Sequence, residues 1–69
     1  MNRTPVSSSN VAEVGYDAVT MTIEIAFRNG TVYQYFDIPE TVYQELMRAN
    51  SIGQFLNQSI KNNYRYAKV

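Results

Sequence analysis

Cysteine, histidine and tryptophan are all absent from this chain of 69 residues. Without cysteine the protein has no disulfide bond and no thiol nucleophile, and a thiolate zinc site is excluded. Without histidine it lacks the side chain that most often ligates transition metals and transfers protons near neutral pH. We therefore expect a protein with no metal, no cofactor and no catalytic centre.

Glycine is also scarce, with three residues that lie far apart at positions 15, 30 and 53. This spacing excludes both the phosphate-binding loop of P-loop proteins and the dinucleotide-binding fingerprint. Lysine and tyrosine can act as bases or nucleophiles when they are buried, but no spacing here brings two of them into a recognisable catalytic arrangement. The sequence predicts that the protein is not an enzyme.

Long apolar runs are missing as well. No segment reaches the roughly 18 apolar residues that span a bilayer. The first residues, MNRTPVSSSNVAEV, lack the apolar region of a secretory signal. We expect a cytoplasmic protein with no membrane partner.

The chain does contain enough apolar residues for one small domain, residues 1–69. Apolar residues make up 45% of it and nine residues are aromatic, which is typical of globular chains. A domain of this size buries only about 60% of the surface that its unfolded chain exposes. Its stability is therefore expected to be low unless a partner contributes.

Three segments have the pattern of β-strands. VTMTIEIAF, residues 19–27, alternates apolar and polar side chains. Asn29-Gly30 follows as a hairpin signal, and residues 31–38 form the return strand. An earlier strand, residues 11–16, is separated from the next by only two residues. The three strands are predicted to form an antiparallel meander.

Helical periodicity begins at Pro39. Asp37 and Glu40 form a D-x-x-E capping pattern, and proline suits the first turn of a helix. An apolar stripe follows, and Asn50 is a suitable left-handed residue for the end of the helix.

A second helix is predicted directly afterwards. Ser51 and Gln54 form an S-x-x-Q capping box. Apolar side chains then recur every four positions, at Ile52, Leu56, Ile60 and Tyr64. The sequence thus predicts an α+β fold of order β-β-β-α-α, with both helices on one face of a three-stranded antiparallel sheet and the other face open.

The register of the hairpin decides which face carries Tyr33 and Tyr35. With a two-residue turn, Phe27 opposes Val32, and both tyrosines lie on the open face. With a three-residue turn and a bulge at Gly30, the tyrosines lie on the core face instead. We favour the first register because it keeps the apolar Val32, Phe36 and Ile38 in the core, although it also places Gln34 there.

The ordered segments RTPVSSSNVAEVGYD, FRNGTVYQYFDIP and ANSIGQFLNQSIKNNY resemble the KTSC domain over about residues 3–64. The family's central Y-x-Y is matched by residues 33–35, its glycine turn by Gly30 and its strand end by Ile38-Pro39. Its S-x-G, with a following aromatic residue and asparagine, is matched by Ser51, Gly53, Phe55 and Asn57. The G-Y-D run, residues 15–17, also fits; we expect a bend there, with Tyr16 in the core.

The family is named after the carboxyl end of some lysyl-tRNA synthetases and also occurs as small free-standing proteins of bacteria and phages. It has no established activity. The attachment to a tRNA synthetase implies RNA as a partner for the family.

Two features of the residues themselves favour a phosphorylated ligand. Tyrosines at positions i and i+2 on an exposed sheet face are suited to stacking on bases, whereas high β-propensity alone also explains such a pair. Helical spacing predicts a shared stripe of Asn57, Lys61, Arg65 and Lys68, which suits phosphate; cations near the end of a helix also stabilise its dipole.

Two serines complete the set of candidate residues. Ser8, within SSSN, can donate to a phosphate or start the first strand by local hydrogen bonds. Ser51 can contact an anion or act only as a helix cap. Ligand binding is thus predicted at Tyr33, Tyr35, Ser8, Ser51, Asn57, Lys61 and Arg65.

The charges of the chain are segregated, although its formal net charge is zero. Residues 1–47 hold two arginines and six acids, whereas residues 48–69 hold four cations and no acid. This pattern indicates either a basic face for phosphate or simple attraction between the two ends.

The favoured function is a non-catalytic module that binds RNA, or that sequesters a small nucleotide as a phage or bacterial protein. The alternative is a protein-interaction or homo-oligomerisation module that uses the open sheet face and the sheet edges.

Overall fold

The computed structural model describes residues 1–69. It contains one five-stranded antiparallel sheet in the order β1-β2-β3-β4-β5, formed by β1 (Arg3–Pro5), β2 (Val11–Asp17), β3 (Thr22–Phe27), β4 (Val32–Tyr35) and β5 (Tyr66–Lys68). Two helices, α1 (Glu40–Arg48) and α2 (Ile52–Phe55), connect β4 to β5. A π-helical segment, Leu56–Ile60, continues α2. The α+β class, the antiparallel sheet and the two helices are confirmed.

The predicted number of strands is wrong, because the sheet has two further strands at its edges. The three predicted strands correspond to β2, β3 and β4, at the centre of the sheet. Both additional strands are three residues long, and all of their residues are exposed. Neither therefore has the apolar alternation by which a strand is recognised in a sequence.

The favoured hairpin register is also wrong. Tyr35 pairs with Ile23 and Tyr33 with Ile25, so both tyrosines lie on the core face of the sheet. Gly30 alone of the turn residues has a positive φ, +93°. A two-residue type I′ turn requires positive φ at both central positions, whereas this hairpin has a three-residue loop with a bulge at Gly30.

The core lies between the helices and one face of the sheet. It consists of ten buried residues: Val11, Val14, Ile23, Ile25, Tyr35, Ile38, Leu46, Ile52, Leu56 and Ile60. Tyr16 is half-buried, stacks on Tyr43 at 4.8 Å between ring centroids and donates its hydroxyl to the carbonyl of Ile38. Burial raises the pKa of the Tyr16 hydroxyl, and the negative charges of Glu40 and Asp17 raise this pKa further, by less.

The connection from β2 to β3 is longer than predicted. The Asp17 carboxylate accepts hydrogen bonds from the amides of Val19 and Thr20, and this turn delays the start of β3 until Thr22. Val19 is consequently 93% exposed. A local side-chain hydrogen bond has thus prevailed over apolar alternation.

The predicted cap of α1 is wrong. No side chain caps this helix, whose N-cap is Pro39. Asp37 has a left-handed φ of 60° and accepts a hydrogen bond from Arg65 at 3.0 Å. At the other end, Ala49 adopts an extended backbone, so the helix stops without the predicted left-handed Asn50.

The serine half of the predicted capping box of α2 is confirmed, because the Ser51 hydroxyl accepts a hydrogen bond from the amide of Gln54 at 3.2 Å. The predicted end is not confirmed. The helical backbone stops at Ile60, where the amide of Lys61 donates to the carbonyl of Leu56. Tyr64 therefore lies beyond the helix.

The outer face of the sheet carries a polar network. Arg3 of β1 lies 3.5 Å from a carboxylate oxygen of Glu13 and 3.4 Å from one of Glu24. Gln34 donates to the other oxygen of Glu24 at 2.8 Å. The face that was predicted to carry exposed tyrosines thus carries charged and amide groups.

No helix in the chain has the length and hydropathy of a membrane span.

Candidate functional site

Six of the seven predicted binding residues line one groove, which runs between the β3–β4 hairpin, the segment before β2, and the helical segment from Ser51 to Lys61. They are Tyr33, Tyr35, Ser8, Ser51, Asn57 and Lys61. Arg65 is not among the lining residues. Its guanidinium instead pairs with Asp37 and lies 5.4 Å from the ring centre of Phe36.

The groove consists of three adjoining cavities of about 670, 430 and 520 Å³. The first, the serine cavity, lies between Ser8 and Ser51. The middle cavity shares Arg28 and Asn57 with the serine cavity. It shares Lys61 with the third cavity, the tyrosine pocket, which is lined by Phe27, Asn29, Thr31, Tyr33, Tyr35, Lys61, Asn62 and Tyr66.

Three tyrosine rings lie close together in the tyrosine pocket. The ring centroids of Tyr33 and Tyr35 are 6.4 Å apart, and that of Tyr66 is 5.9 Å and 5.7 Å from them. Tyr35 is only 1% exposed, whereas Tyr66 is 58% exposed. Tyr35 thus forms the floor of the pocket, and the half-buried Tyr33 and the exposed Tyr66 provide the accessible rings.

Sequence reasoning missed Tyr66. The residue lies in β5, which brings it opposite Tyr35 in the sheet. The run Tyr64-Arg65-Tyr66 repeats the spacing of Tyr33 and Tyr35 and was the one signal that could have indicated it. Apolar periodicity had instead assigned this run to a helix.

Burial raises the pKa of the Tyr35 hydroxyl, and the neighbouring Tyr33 and Tyr66 raise it further. A tyrosine with a raised pKa stays protonated and neutral at physiological pH. The floor of the pocket is therefore uncharged, and the rings of Tyr33 and Tyr66 provide the aromatic surface that a planar ring can reach.

The only charged side chains that line the three cavities are Arg28 and Lys61. Neither lies within 4.0 Å of a carboxylate. The ion pairs of the protein are formed by Arg3 and Arg65 instead. Two unpaired cations without a nearby acid give the groove a positive potential that favours anions.

Arg28 is held in place by two contacts with the loop before β2. Its Nε donates to the carbonyl of Ser8 at 2.8 Å, and its amide donates to the carbonyl of Asn10, also at 2.8 Å. The terminal nitrogens of the guanidinium have no hydrogen bond within the protein. Sequence reasoning missed Arg28 because it lies in the acidic part of the chain, far in sequence from the other cations.

The predicted basic stripe does not form, since the helical segment ends at Ile60. Asn57 and Lys61 remain together on the groove. Arg65 follows the turn after the helix, and Lys68 lies in β5 opposite Tyr33. A single continuous helix would have been needed to align all four residues.

Both predicted serines have structural roles. The Ser8 hydroxyl oxygen accepts hydrogen bonds from the amides of Asn10 and Val11, and that of Ser51 caps α2. Each hydroxyl retains its hydrogen as a donor. No group of three or more acidic side chains is placed to hold a metal ion.

Comparison with known proteins finds one matching domain family and relatives of about the same length as this chain. Residues 7–64 match the profile of the KTSC domain, a match that leaves out β1 and β5. A protein of Stutzerimonas stutzeri is 36% identical over 70 residues, which cover 100% of this chain and 99% of the relative. The crystal structure of a KTSC domain protein from Yersinia pestis has a TM-score of 0.93 and 40% identity, and the match covers 99% of this chain and 96% of that one.

A second group of relatives consists of much longer proteins. The lysine–tRNA ligase of Trichormus variabilis is 38% identical over 61 residues, which are 88% of this chain and 11% of the ligase. The similarity therefore concerns one segment of the ligase and does not extend to the greater part of that protein.

Proposed function

The chain belongs to the KTSC domain family, and from this premise we propose that it is a non-catalytic module that binds a phosphorylated nucleotide ligand in the tyrosine pocket. The base stacks on Tyr33 and Tyr66, over the buried ring of Tyr35, and Lys61 contacts the phosphate. The observation that carries this proposal is the position of the unpaired Lys61 beside three clustered tyrosines. The ligand class includes RNA and small nucleotides, which share this chemistry.

Stacking and charge have complementary roles in such a site. A base stacked on an aromatic side chain contributes about 1–3 kcal/mol, largely independently of its identity. A lysine supplies a compact positive charge for a phosphate oxygen. The occurrence of related segments in lysine–tRNA ligases supports a nucleic-acid ligand.

The alternative function, a protein-interaction or homo-oligomerisation module that uses the open sheet face, has weaker support. That face carries the network of Arg3, Glu13, Glu24 and Gln34. Charged residues are depleted at the core of protein interfaces. The alternative stays a prediction, and measurement of the native mass tests it together with the ligand.

Native mass spectrometry of the protein, purified from its host at moderate salt, identifies the ligand. We expect an additional mass that is released on denaturation and corresponds to a nucleotide or a short RNA. A ligand-free homo-oligomer that takes up neither nucleotides nor RNA would favour the alternative function.

Isothermal titration calorimetry then tests the site itself. We expect ribonucleoside 5′-monophosphates to bind more tightly than the corresponding nucleosides. Tyr66→Leu and Lys61→Gln should each weaken the monophosphate complex by about tenfold or more, as expected for the loss of a stacked ring or a charge contact. Arg48→Gln is the matched control, since Arg48 is exposed at the end of α1 and lines none of the three cavities. Equal effects of Lys61→Gln and Arg48→Gln would contradict the proposal.

A further inference from the structure

The tyrosine pocket is one end of a longer groove rather than an isolated cavity. It shares Phe27, Asn29 and Lys61 with the middle cavity. The middle cavity in turn shares Arg28 and Gly53 with the serine cavity. A path lined mostly by polar groups thus leads from the tyrosines, past Lys61, to Arg28 and the loop before β2.

The two cations occupy the two junctions of this path. Lys61 lies where the tyrosine pocket meets the middle cavity, and Arg28 lies where the middle cavity meets the serine cavity. The contact between Arg28 Nε and the Ser8 carbonyl fixes the guanidinium. Its free terminal nitrogens can then form the bidentate contact that arginine makes with phosphate.

A single nucleotide in the tyrosine pocket uses Lys61 and leaves Arg28 without an anion. Hydrogen-bonding groups for a continuing chain are also present beyond Lys61, at Asn57 and Ser8. Gly53 lines both the middle and the serine cavity, and a Cβ at this position would meet no atom within 4 Å. The groove therefore offers contacts beyond those that a mononucleotide in the tyrosine pocket makes.

We infer that the ligand is a segment of single-stranded nucleic acid with at least two successive phosphates. One base lies in the tyrosine pocket, its phosphate contacts Lys61, and the strand continues through the middle cavity so that the next phosphate contacts Arg28. This inference rests on the proposed function, because it extends the same site.

Titration with ligands of increasing length tests the inference. The probes are ribonucleoside 5′-monophosphates and oligoribonucleotides of two, three and six residues of each base. We expect the affinity to rise by about tenfold or more between the monophosphate and the trinucleotide, because a second charge contact and further polar contacts are added. The affinity should change little beyond three residues, apart from the statistical increase that comes from the larger number of binding positions on a longer strand.

Two substitutions test the proposed phosphate contact at Arg28 separately from the one at Lys61. Arg28→Gln removes the charge, and Gly53→Gln projects a side chain into the groove between the middle and serine cavities. Neither residue lines the tyrosine pocket. Both variants should lose the increase with ligand length while they bind the monophosphate as the unmodified protein does. Since a Cβ at position 53 would meet no atom within 4 Å, Gly53→Gln remains informative if Arg28→Gln disturbs the loop before β2.

The possible outcomes distinguish this inference from the proposed function. Equal affinity for the monophosphate and the trinucleotide, unchanged in Arg28→Gln and Gly53→Gln, would overturn the inference and leave the proposed function standing. Failure of every probe to bind would overturn both.

Discussion

Gly15 lies within β2, opposite Arg3 of β1. The close approach of β1 leaves no room for a side chain at this position. A Cβ at this position would lie 2.8 Å from the carbonyl oxygen of Asn2 and 2.9 Å from Cγ of Arg3. The bend that we expected here does not occur, since β2 continues to Asp17. Glycine instead allows β1 to pass close to β2.

Gly15→Ala should therefore lower the free energy of unfolding by about 1–2 kcal/mol, as overpacking does, and should displace β1. Gly53→Ala is the matched control. The added Cβ would meet no atom within 4 Å. Because alanine replaces glycine within a helix, the substitution should stabilise the protein by up to about 1 kcal/mol. Urea unfolding of the two variants provides the measurement. A Gly15→Ala variant as stable as Gly53→Ala would show that β1 is readily displaced.

Individual capping and turn residues were only partly predictable. Ser51 caps α2 as expected because its pattern depends on residues three apart. Asp37 lost its expected role because Arg65, 28 positions later, binds its carboxylate. A contact of this kind is fixed by the tertiary fold and leaves no local signal in the sequence.

Among the elements, β5 has most influence on the candidate site, because it contributes Tyr66. It is short and exposed, and Arg65, which directly precedes it, makes three contacts with the two residues that follow β4. The amide of Phe36 donates to the carbonyl of Arg65 at 2.9 Å; the Arg65 guanidinium pairs with Asp37 and lies over the Phe36 ring. We infer that Arg65 positions β5 rather than binding the ligand.

Arg65→Ala should consequently loosen β5 without unfolding the domain. An exposed ion pair contributes only about 0–1 kcal/mol, and an exposed cation–π contact about 0.5–1 kcal/mol. We expect faster amide hydrogen exchange in residues 66–69 and a small change in global stability. Lys68→Ala, within β5 itself and without an ion pair, is the control. Equal exchange in the two variants would contradict a positioning role for Arg65.

The hairpin shows why the arrangement of elements was harder to predict than their existence. The sequence indicated both strands and the Asn29-Gly30 turn, but the register depended on the backbone at Asn29. Its side chain accepts hydrogen bonds from the amide and hydroxyl of Thr31, and positive φ occurs only at Gly30. One additional loop residue moved both tyrosines to the other face of the sheet.

At the scale of the whole molecule, three of the six acids pair with arginines that do not line the groove. Glu13 and Glu24 surround Arg3 on the outer face, and Asp37 pairs with Arg65. Arg28 and Lys61, which come from the two oppositely charged parts of the chain, meet in the groove. Segregation along the sequence therefore did not predict the location of the cations. The fold, rather than the order of the charges, creates a positive site in a protein with zero formal net charge.

This distribution predicts how salt should affect binding. Each phosphate neutralised on a single strand contributes about −0.7 to the slope of log K against log salt concentration, so contacts at Lys61 and Arg28 give a slope of about −1.4. Lys61→Gln or Arg28→Gln should reduce it to about −0.7, because one contact is lost, whereas Arg48→Gln should leave it unchanged. Titration of a trinucleotide at several salt concentrations measures these slopes. A slope near zero in the unmodified protein would mean that the groove binds its ligand without phosphate contacts, and that the two cations serve another purpose.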